Sequence, residues 1–168
     1  MNKNIPNSTK VVVVGGGVIG CSVAYHLTKY GWKDVVLLER DQLTSGTTWH
    51  AAGLVSQLGP TAAVTKIRKY TLDLYKKLEK EVDHSAGLRI NGALSVAQTN
   101  ARWQELQRQA TTAQLYDVDI KILDKNQIKK NYPIMYTDDL KGGVLMPGDG
   151  AADPSGVTHM LAKGARLG

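Results

Sequence analysis

VVVVGGGVIGCSVAYHLTKYGWKDVVLLER, residues Val11–Arg40, is the stretch whose reading decides the fold. Four consecutive valines, Val11–Val14, read as a strand buried on both faces, the type found in parallel sheets. Glycines follow at once. After them Ile19, Val23 and Leu27, with Ala24, recur at helical spacing, and Gly31 is placed to end that helix. A second apolar run, Val35–Leu38, closes a β-α-β unit.

Gly15, Gly17 and Gly20 fit G-x-G-x-x-G between that strand and that helix. The first glycine permits a tight turn, the second lets backbone approach a pyrophosphate, and the third brings helix and strand together. Free N–H groups near Val18 and Ile19, at the positive end of the helix, would hydrogen-bond phosphates. Glu39 lies nineteen residues beyond Gly20, at the end of the second strand, where a carboxylate accepts from both ribose hydroxyls. Dinucleotide binding follows, with FAD and NAD both open; the acid at Glu39 argues against NADP, whose extra phosphate it would repel.

Further along, Thr61–Asp83 carries Val64, Ile67, Thr71, Leu74, Leu78 and Val82 on one stripe of a long amphipathic helix, read as a cap. Leu88–Ala97 holds strand-like stretches around Asn91-Gly92, and Trp103, Leu106 and Ala110 mark a helix after Asn100. A short strand near Ile120–Leu123 runs into Asp124 and Gln127, spaced like a capping box, and then a short helix that stops before Pro133. Gly142–Met146 is a strand, Pro147–Gly150 a turn, and Asp153-Pro154 a cap and first-turn proline for a helix to about Lys163. The expected fold is α/β: a Rossmann-like dinucleotide-binding part over residues 10–60, a cap or substrate segment over about 61–145, and a return over 146–168. The pattern stops at Arg166-Leu167-Gly168, where another strand is due, so the expectation is a portion of a larger chain; a complete small domain is the alternative.

Composition narrows the function classes. Hydrophobic residues make up 42% and charged residues 21% of 168, which excludes wholesale disorder. No apolar run approaches the roughly 20 residues needed to cross a bilayer, so no membrane span is expected. The N-terminus MNKNIPNSTK lacks an apolar secretory core and the arginines of a transit peptide, and Cys21 has no partner cysteine; a cytoplasmic setting is inferred. The net charge of +6 is spread rather than clustered: Lys66, Arg68, Lys69, Lys76, Lys77 and Lys80 share a helix with Asp73, Glu79 and Glu81, as on a solvated face. Nucleic-acid binding is not expected.

Leu43–Leu54, LTSGTTWHAAGL, is dense in small and hydroxyl-bearing residues. Ser45, Thr47 and Thr48 offer hydroxyls, and Gly46 and Gly53 allow unusual backbone angles. By its residue type alone, His50 beside Trp49 reads as a packed histidine. With VVVVGGGVIGCSVAYHL, VVLLER, SGTTWHAAGL and MPGDGAADPSG together, the chain resembles the dimethylglycine dehydrogenase and sarcosine dehydrogenase group of glycine-oxidase-like, FAD-dependent amine oxidoreductases.

The resemblance implies that His50 carries a covalent bond to the flavin's benzenoid methyl, for which a neutral imidazole nitrogen is a competent nucleophile. It further implies cofactor contacts at Val18 and Ile19, at Glu39 and Arg40, and along Gly46, Thr47, Thr48, Trp49, His50, Ala51, Ala52, Gly53 and Leu54. The implied reaction is hydride removal from the N-methyl carbon of a small N-methylated amino acid to flavin, leaving an iminium that releases formaldehyde or passes its carbon to tetrahydrofolate. The electron acceptor would be an electron-transfer flavoprotein or oxygen. Substrate-holding residues and the folate region are expected beyond Gly168, so no catalytic base is assigned here.

The remaining candidates read as structural. Cys21 is a core thiol, and His26, His84 and His159 lack metal-ligand spacing, so no metal site is expected. Asp149 and Asp153 are explained by turn and helix-cap duty, and no G-x-S-x-G is present. Two alternatives stay open: an NAD-dependent dehydrogenase, and a non-catalytic regulatory relative that keeps the flavin fold.

Overall fold

The computed structural model describes residues 6–168; the first five residues, part of the stretch read above for a targeting signal, lie outside them. In chain order the elements are β1 (Val11–Val14), α1 (Val18–Lys29), β2 (Val35–Leu38), a single-turn 3-10 helix (Thr48–His50), β3 (Leu54–Val55), α2 (Ala62–Glu81), β4 (Ala93–Ala97), α3 (Asn100–Leu115), β5 (Lys121–Leu123), α4 (Lys125–Asn131), β6 (Gly142–Met146), β7 (Gly150–Ala151) and α5 (Pro154–Leu167). They form two compact units. No described helix is long and apolar enough to cross a membrane.

The first unit holds the described residues through Gly53, with Leu74–Leu88 and Ala152–Gly168. β1 and β2 pair in parallel, Val11 opposite Val35 and Val14 opposite Leu38, so the β-α-β reading stands. α1 ends as expected: Gly31 adopts φ +92°, and its N–H returns to the Thr28 carbonyl at 2.9 Å. Asp153 caps α5 by accepting from the amides of Ser155 and Gly156, and Pro154 opens that helix. α5 runs to Leu167, four residues past the expected end. The core joins Cys21 and Tyr25 of α1, Leu74 and Leu78 of α2, and Val157, Met160 and Leu161 of α5. Each large apolar side chain buried there contributes about 1.5–3 kcal/mol.

Two expectations are corrected in this unit. Val11–Val14 is not buried on both faces: Val13 is buried, whereas Val12 is 51% and Val14 83% exposed. The sheet has two strands, and one of its faces is uncovered among the described residues. The inward face of α1 is also displaced from the expected stripe. Cys21, Ala24 and Tyr25 are buried while Ile19 is 76% exposed and Val23 is exposed. Cys21 and Ala24 are small enough to let α1 lie close to its neighbours, so close approach wins over maximal apolarity.

The second unit holds Leu54–Asp73 and Arg89–Ala151. β4, β6 and β5 form an antiparallel sheet in that spatial order, and β3 pairs antiparallel with β7. Leu106 and Ala110 of α3 pack on Ala97 and Val144, and Ile128 of α4 packs on Leu123 and Leu140. Asp124 and Gln127 form the full capping box.

The expected stripe of α2 holds at Leu74, Leu78 and Val82 but fails earlier: Ile67 is exposed, and Thr65 and Leu72 are buried instead. Two cations read as solvated are anchors. Arg68 donates to Ser56 Oγ at 3.1 Å and to the Leu58 carbonyl, and Lys69 Nζ donates to the carbonyls of Tyr116 and Asp117 after α3. Backbone carbonyls at a helix end attract cations, which is why Lys69 folds onto the end of α3.

Candidate cofactor site

The glycine turn after β1 is held from three sides. Gly15 adopts φ +104°, which glycine tolerates and other residues rarely do, and its N–H donates to the Leu38 carbonyl at 2.8 Å. A side chain at Gly20 would run into the Gly15 carbonyl oxygen, so its absence sets the distance between turn and helix. At Gly17 the structure supplies a different reason from the expected one. A Cβ there would sit 2.9 Å from Thr48 Oγ1, so this glycine makes room for a protein side chain.

Glu39 and the His50 segment converge on this turn. Glu39 Oε2 accepts from the Gly16 amide at 2.6 Å, and Oε1 accepts from the Asp41 amide at 3.1 Å. The Gly16 bond first, and the Asp41 bond second, hold the carboxyl below the usual glutamate range. The Thr44 amide donates to the Gly16 carbonyl at 3.1 Å, with Thr44 itself at φ +75°. The Val18 amide donates to Thr48 Oγ1 at 3.0 Å. That amide was expected to face a phosphate; it is already bonded within the protein. Among the described residues, the amides of Gly17 and Ile19 meet no acceptor.

A cleft of about 370 Å³ lies at the C-terminal ends of the parallel strands, lined by Val14, Gly15, Glu39, Arg40, Ser45 and Gly46 among others. Open α/β sheets bind ligands there. Ser45 turns its hydroxyl onto the Gln42 carbonyl at 2.8 Å. Thr47, Trp49, His50, Ala51 and Ala52 are exposed, with the Trp49 and His50 rings 3.8 Å apart between centroids. Gly53 adopts φ +72° and accepts from the Ala152 amide, while Leu54 belongs to the second unit and is exposed. An ionised acid, two unpaired amides and an open glycine cradle fit the ribose and pyrophosphate of an adenine dinucleotide.

Two participants in this turn were not expected from the sequence. Gly16 is buried, uses both its N–H and its C=O, and a Cβ there would meet Leu43 and Glu39; three glycines in a row were the available signal. Thr44 carried no signal. In the second unit Asp149 has its turn role, its amide donating to the Met146 carbonyl at 3.2 Å, and beyond that reading its side chain is 1% exposed, its Oδ1 accepts from the Gln57 amide at 2.9 Å, and its Oδ2 has no partner. Burial pushes this carboxyl upward, opposed by the Gln57 bonds and by Arg68. Asp153 keeps its cap role. His84 and His159 come within 6.4 Å between ring centroids despite their sequence separation; among the described residues no group of three or more His, Cys, Asp or Glu could hold a metal ion.

The profile of the FAD dependent oxidoreductase (DAO) family matches residues 10–168. The chain belongs to the FAD-dependent oxidoreductase family. The NAD-dependent alternative is thereby set aside. The chain is similar to mitochondrial sarcosine dehydrogenase of Homo sapiens, 39% identical over 165 residues covering 98% of this chain and 18% of that protein. It is also similar to mitochondrial dimethylglycine dehydrogenase of Rattus norvegicus, 39% identical over 157 residues covering 94% of this chain and 18% of that protein. The chain therefore spans 18% of the length of both curated relatives. The fold is similar to part of that of L-proline dehydrogenase from P. horikoshii, with TM-score 0.87 at 24% identity, over 97% of this chain and 43% of that one.

Proposed function

We propose that this chain forms the flavin-holding part of an oxidoreductase that demethylates a small secondary or tertiary amino acid, dimethylglycine or sarcosine. The observation that carries the reading is the attachment of the LTSGTTWHAAGL segment to the glycine turn, through Thr44 on Gly16 and Thr48 on Val18. That attachment keeps His50 exposed in the same unit as the dinucleotide cradle. Similarity to sarcosine and dimethylglycine dehydrogenases supports the substrate class.

Flavin, when bound, supplies the acceptor for a hydride leaving an N-methyl carbon. Glu39 accepts from the ribose hydroxyls with the lone pairs its backbone bonds leave over, and Arg40 flanks it in the same cleft. The amides of Gly17 and Ile19 donate to the pyrophosphate at the positive end of α1. His50 is the covalent attachment residue, and residues 46–54 follow the cofactor. Residues of about 61–145 form the cap or substrate segment. No residue of this chain is assigned as the base, and release of the one-carbon unit to tetrahydrofolate and of electrons to an electron-transfer flavoprotein or oxygen are assigned to none either. A reducing compartment, the cytoplasm in our assignment, suits the buried, unpaired Cys21.

The test is an absorption spectrum of protein expressed from its full open reading frame, before and after acid precipitation. Yellow colour kept in the pellet supports the covalent link. Colour released to the supernatant removes it while leaving the flavin site, and the absence of colour overturns the reading. Release of formaldehyde from dimethylglycine or sarcosine then decides the substrate.

A further inference from the structure

We infer that Thr48 is a positioning residue that presents His50 for flavin attachment by hanging the His50 turn on the Val18 amide. The inference rests on the reading of His50 given above. α1 begins without a side-chain cap of its own, because its N-cap residue is Gly17. Thr48, thirty residues further on, takes that place by accepting from the Val18 amide at 3.0 Å. Gly17 leaves the space for it.

Thr48 also opens the single-turn helix that ends at His50. The His50 amide donates to the Thr47 carbonyl and the Ala51 amide to the Thr48 carbonyl, each at 3.1 Å. The anchor and the imidazole therefore sit two residues apart on one closed turn. Among the described residues, the Thr48 hydroxyl makes the side-chain hydrogen bond that ties residues 47–52 to the rest of their unit. His50 is exposed, so burial does not fix its ring.

Attachment needs such placement, since a bond forms fast only from a near-attack geometry. A His50 ring nitrogen bonds the benzenoid methyl carbon of the flavin. One hydrogen of that methyl group and the imidazole N–H hydrogen leave as protons, and the C–H electron pair enters the isoalloxazine ring, which takes up both protons. Molecular oxygen, reduced to hydrogen peroxide, reoxidises it.

The experiment compares Thr48→Val and Thr48→Ser with the parent, all expressed from the full open reading frame. Apoprotein is mixed with FAD, and total bound flavin and acid-stable flavin are followed over time, with thermal melting as the control for folding. Thr48→Val is expected to bind flavin but to attach it about tenfold more slowly, the scale of one hydrogen bond, and Thr48→Ser to restore the rate. Should Thr48→Val fail to fold, Gly17→Ala crowds the same hydroxyl from the turn and is expected to slow attachment likewise. Attachment at the parental rate in Thr48→Val overturns the inference. Parallel loss of total and acid-stable flavin also overturns it, because Thr48 would then grip the cofactor rather than place His50. A parent that binds flavin but never attaches it removes the reading of His50, and the inference with it.

Discussion

The carboxylate of Glu39 and the amide of Gly16 meet at 2.6 Å across 23 residues of sequence, joining the end of β2 to the turn after β1. The contact does two things at once. It satisfies an amide that would otherwise be buried unpaired, and it holds the acid at the mouth of the cleft before any ligand arrives. A preplaced acceptor does not lose rotamer freedom on binding, so in the role proposed for Glu39 the ribose hydroxyls would meet a prepared site.

Glu39→Gln tests that preparation. The amide side chain still accepts from Gly16 but loses its charge, and hydrogen bonds to charged groups are stronger than neutral ones. Flavin affinity is expected to fall about tenfold, read by equilibrium dialysis against FAD. The pH dependence has a fixed sign. The native carboxyl is held below its ordinary value, so its contribution is present above the unfolded glutamate range, about 4.3, and is lost as pH falls through the lowered value. The difference in Tm between parent and Glu39→Gln should therefore shrink on acidification.

Gly20→Ala places a methyl group against the Gly15 carbonyl. Backbone gives way poorly, so α1 must retreat from the turn, and the amides proposed to hold the pyrophosphate move with it. A loss of about 1–3 kcal/mol, the usual range for overpacking, is expected in urea unfolding, together with loss of bound flavin. Unchanged flavin content in a stable Gly20→Ala protein would contradict this account.

Asp149 is the opposite electrostatic case to Glu39. Burial raises its carboxyl, so the native state holds the proton more tightly than the unfolded chain does. Its stabilising share is complete below the unfolded aspartate value, about 3.9, and is lost as pH rises through the raised native value. Asp149→Asn keeps an acceptor for the Gln57 amide without the buried charge. It is expected to melt at or above the parent at neutral pH, with the gap closing toward pH 4. Asp149→Ala leaves the Gln57 amide unpaired and should lose about 1–3 kcal/mol in the same assay.

His50→Ala should abolish acid-stable flavin while leaving the melting curve within a degree or so of the parent, since exposed substitutions usually change stability by about 0.5 kcal/mol or less. Mass spectrometry of the tryptic peptide carrying residues 41–66 reads the result directly. Retained covalent flavin in the variant would move the attachment to another residue.

Much of the fold was legible because its signals are local. Val35–Leu38 and Gly142–Met146 are strands at the expected bounds, Gly31 stops α1 through its positive φ, and Asp124 with Gln127 closes a capping box that needs four residues and no partner element. The G-x-G-x-x-G spacing and the acid after β2 located the cradle for the same reason: the turn and the strand ends lie within thirty residues of one another.

What the chain's order of residues could not settle was which face of each element is covered, because that depends on neighbours distant in sequence. Periodicity nominated Ile19 and Val23 together with Ala24, yet Ile19 and Val23 stay exposed, and Tyr25 joins the expected Ala24 and core thiol Cys21 on the inward face of α1, which packs against α5 more than a hundred residues away. Asp149 closes the turn read for it, but the burial of its carboxyl and its bond from the Gln57 amide, 92 positions earlier, are not written in adjacent residues. Thr48 is one hydroxyl among several until the tertiary structure brings it to the Val18 amide. The sequence alone determined the β-α-β unit and the glycine turn at which a dinucleotide is proposed to bind, since turn geometry and helix caps are written in adjacent residues. Only the tertiary structure decided how the His50 segment is anchored and which acid is buried, since hydrogen bonding and desolvation depend on which distant atoms arrive.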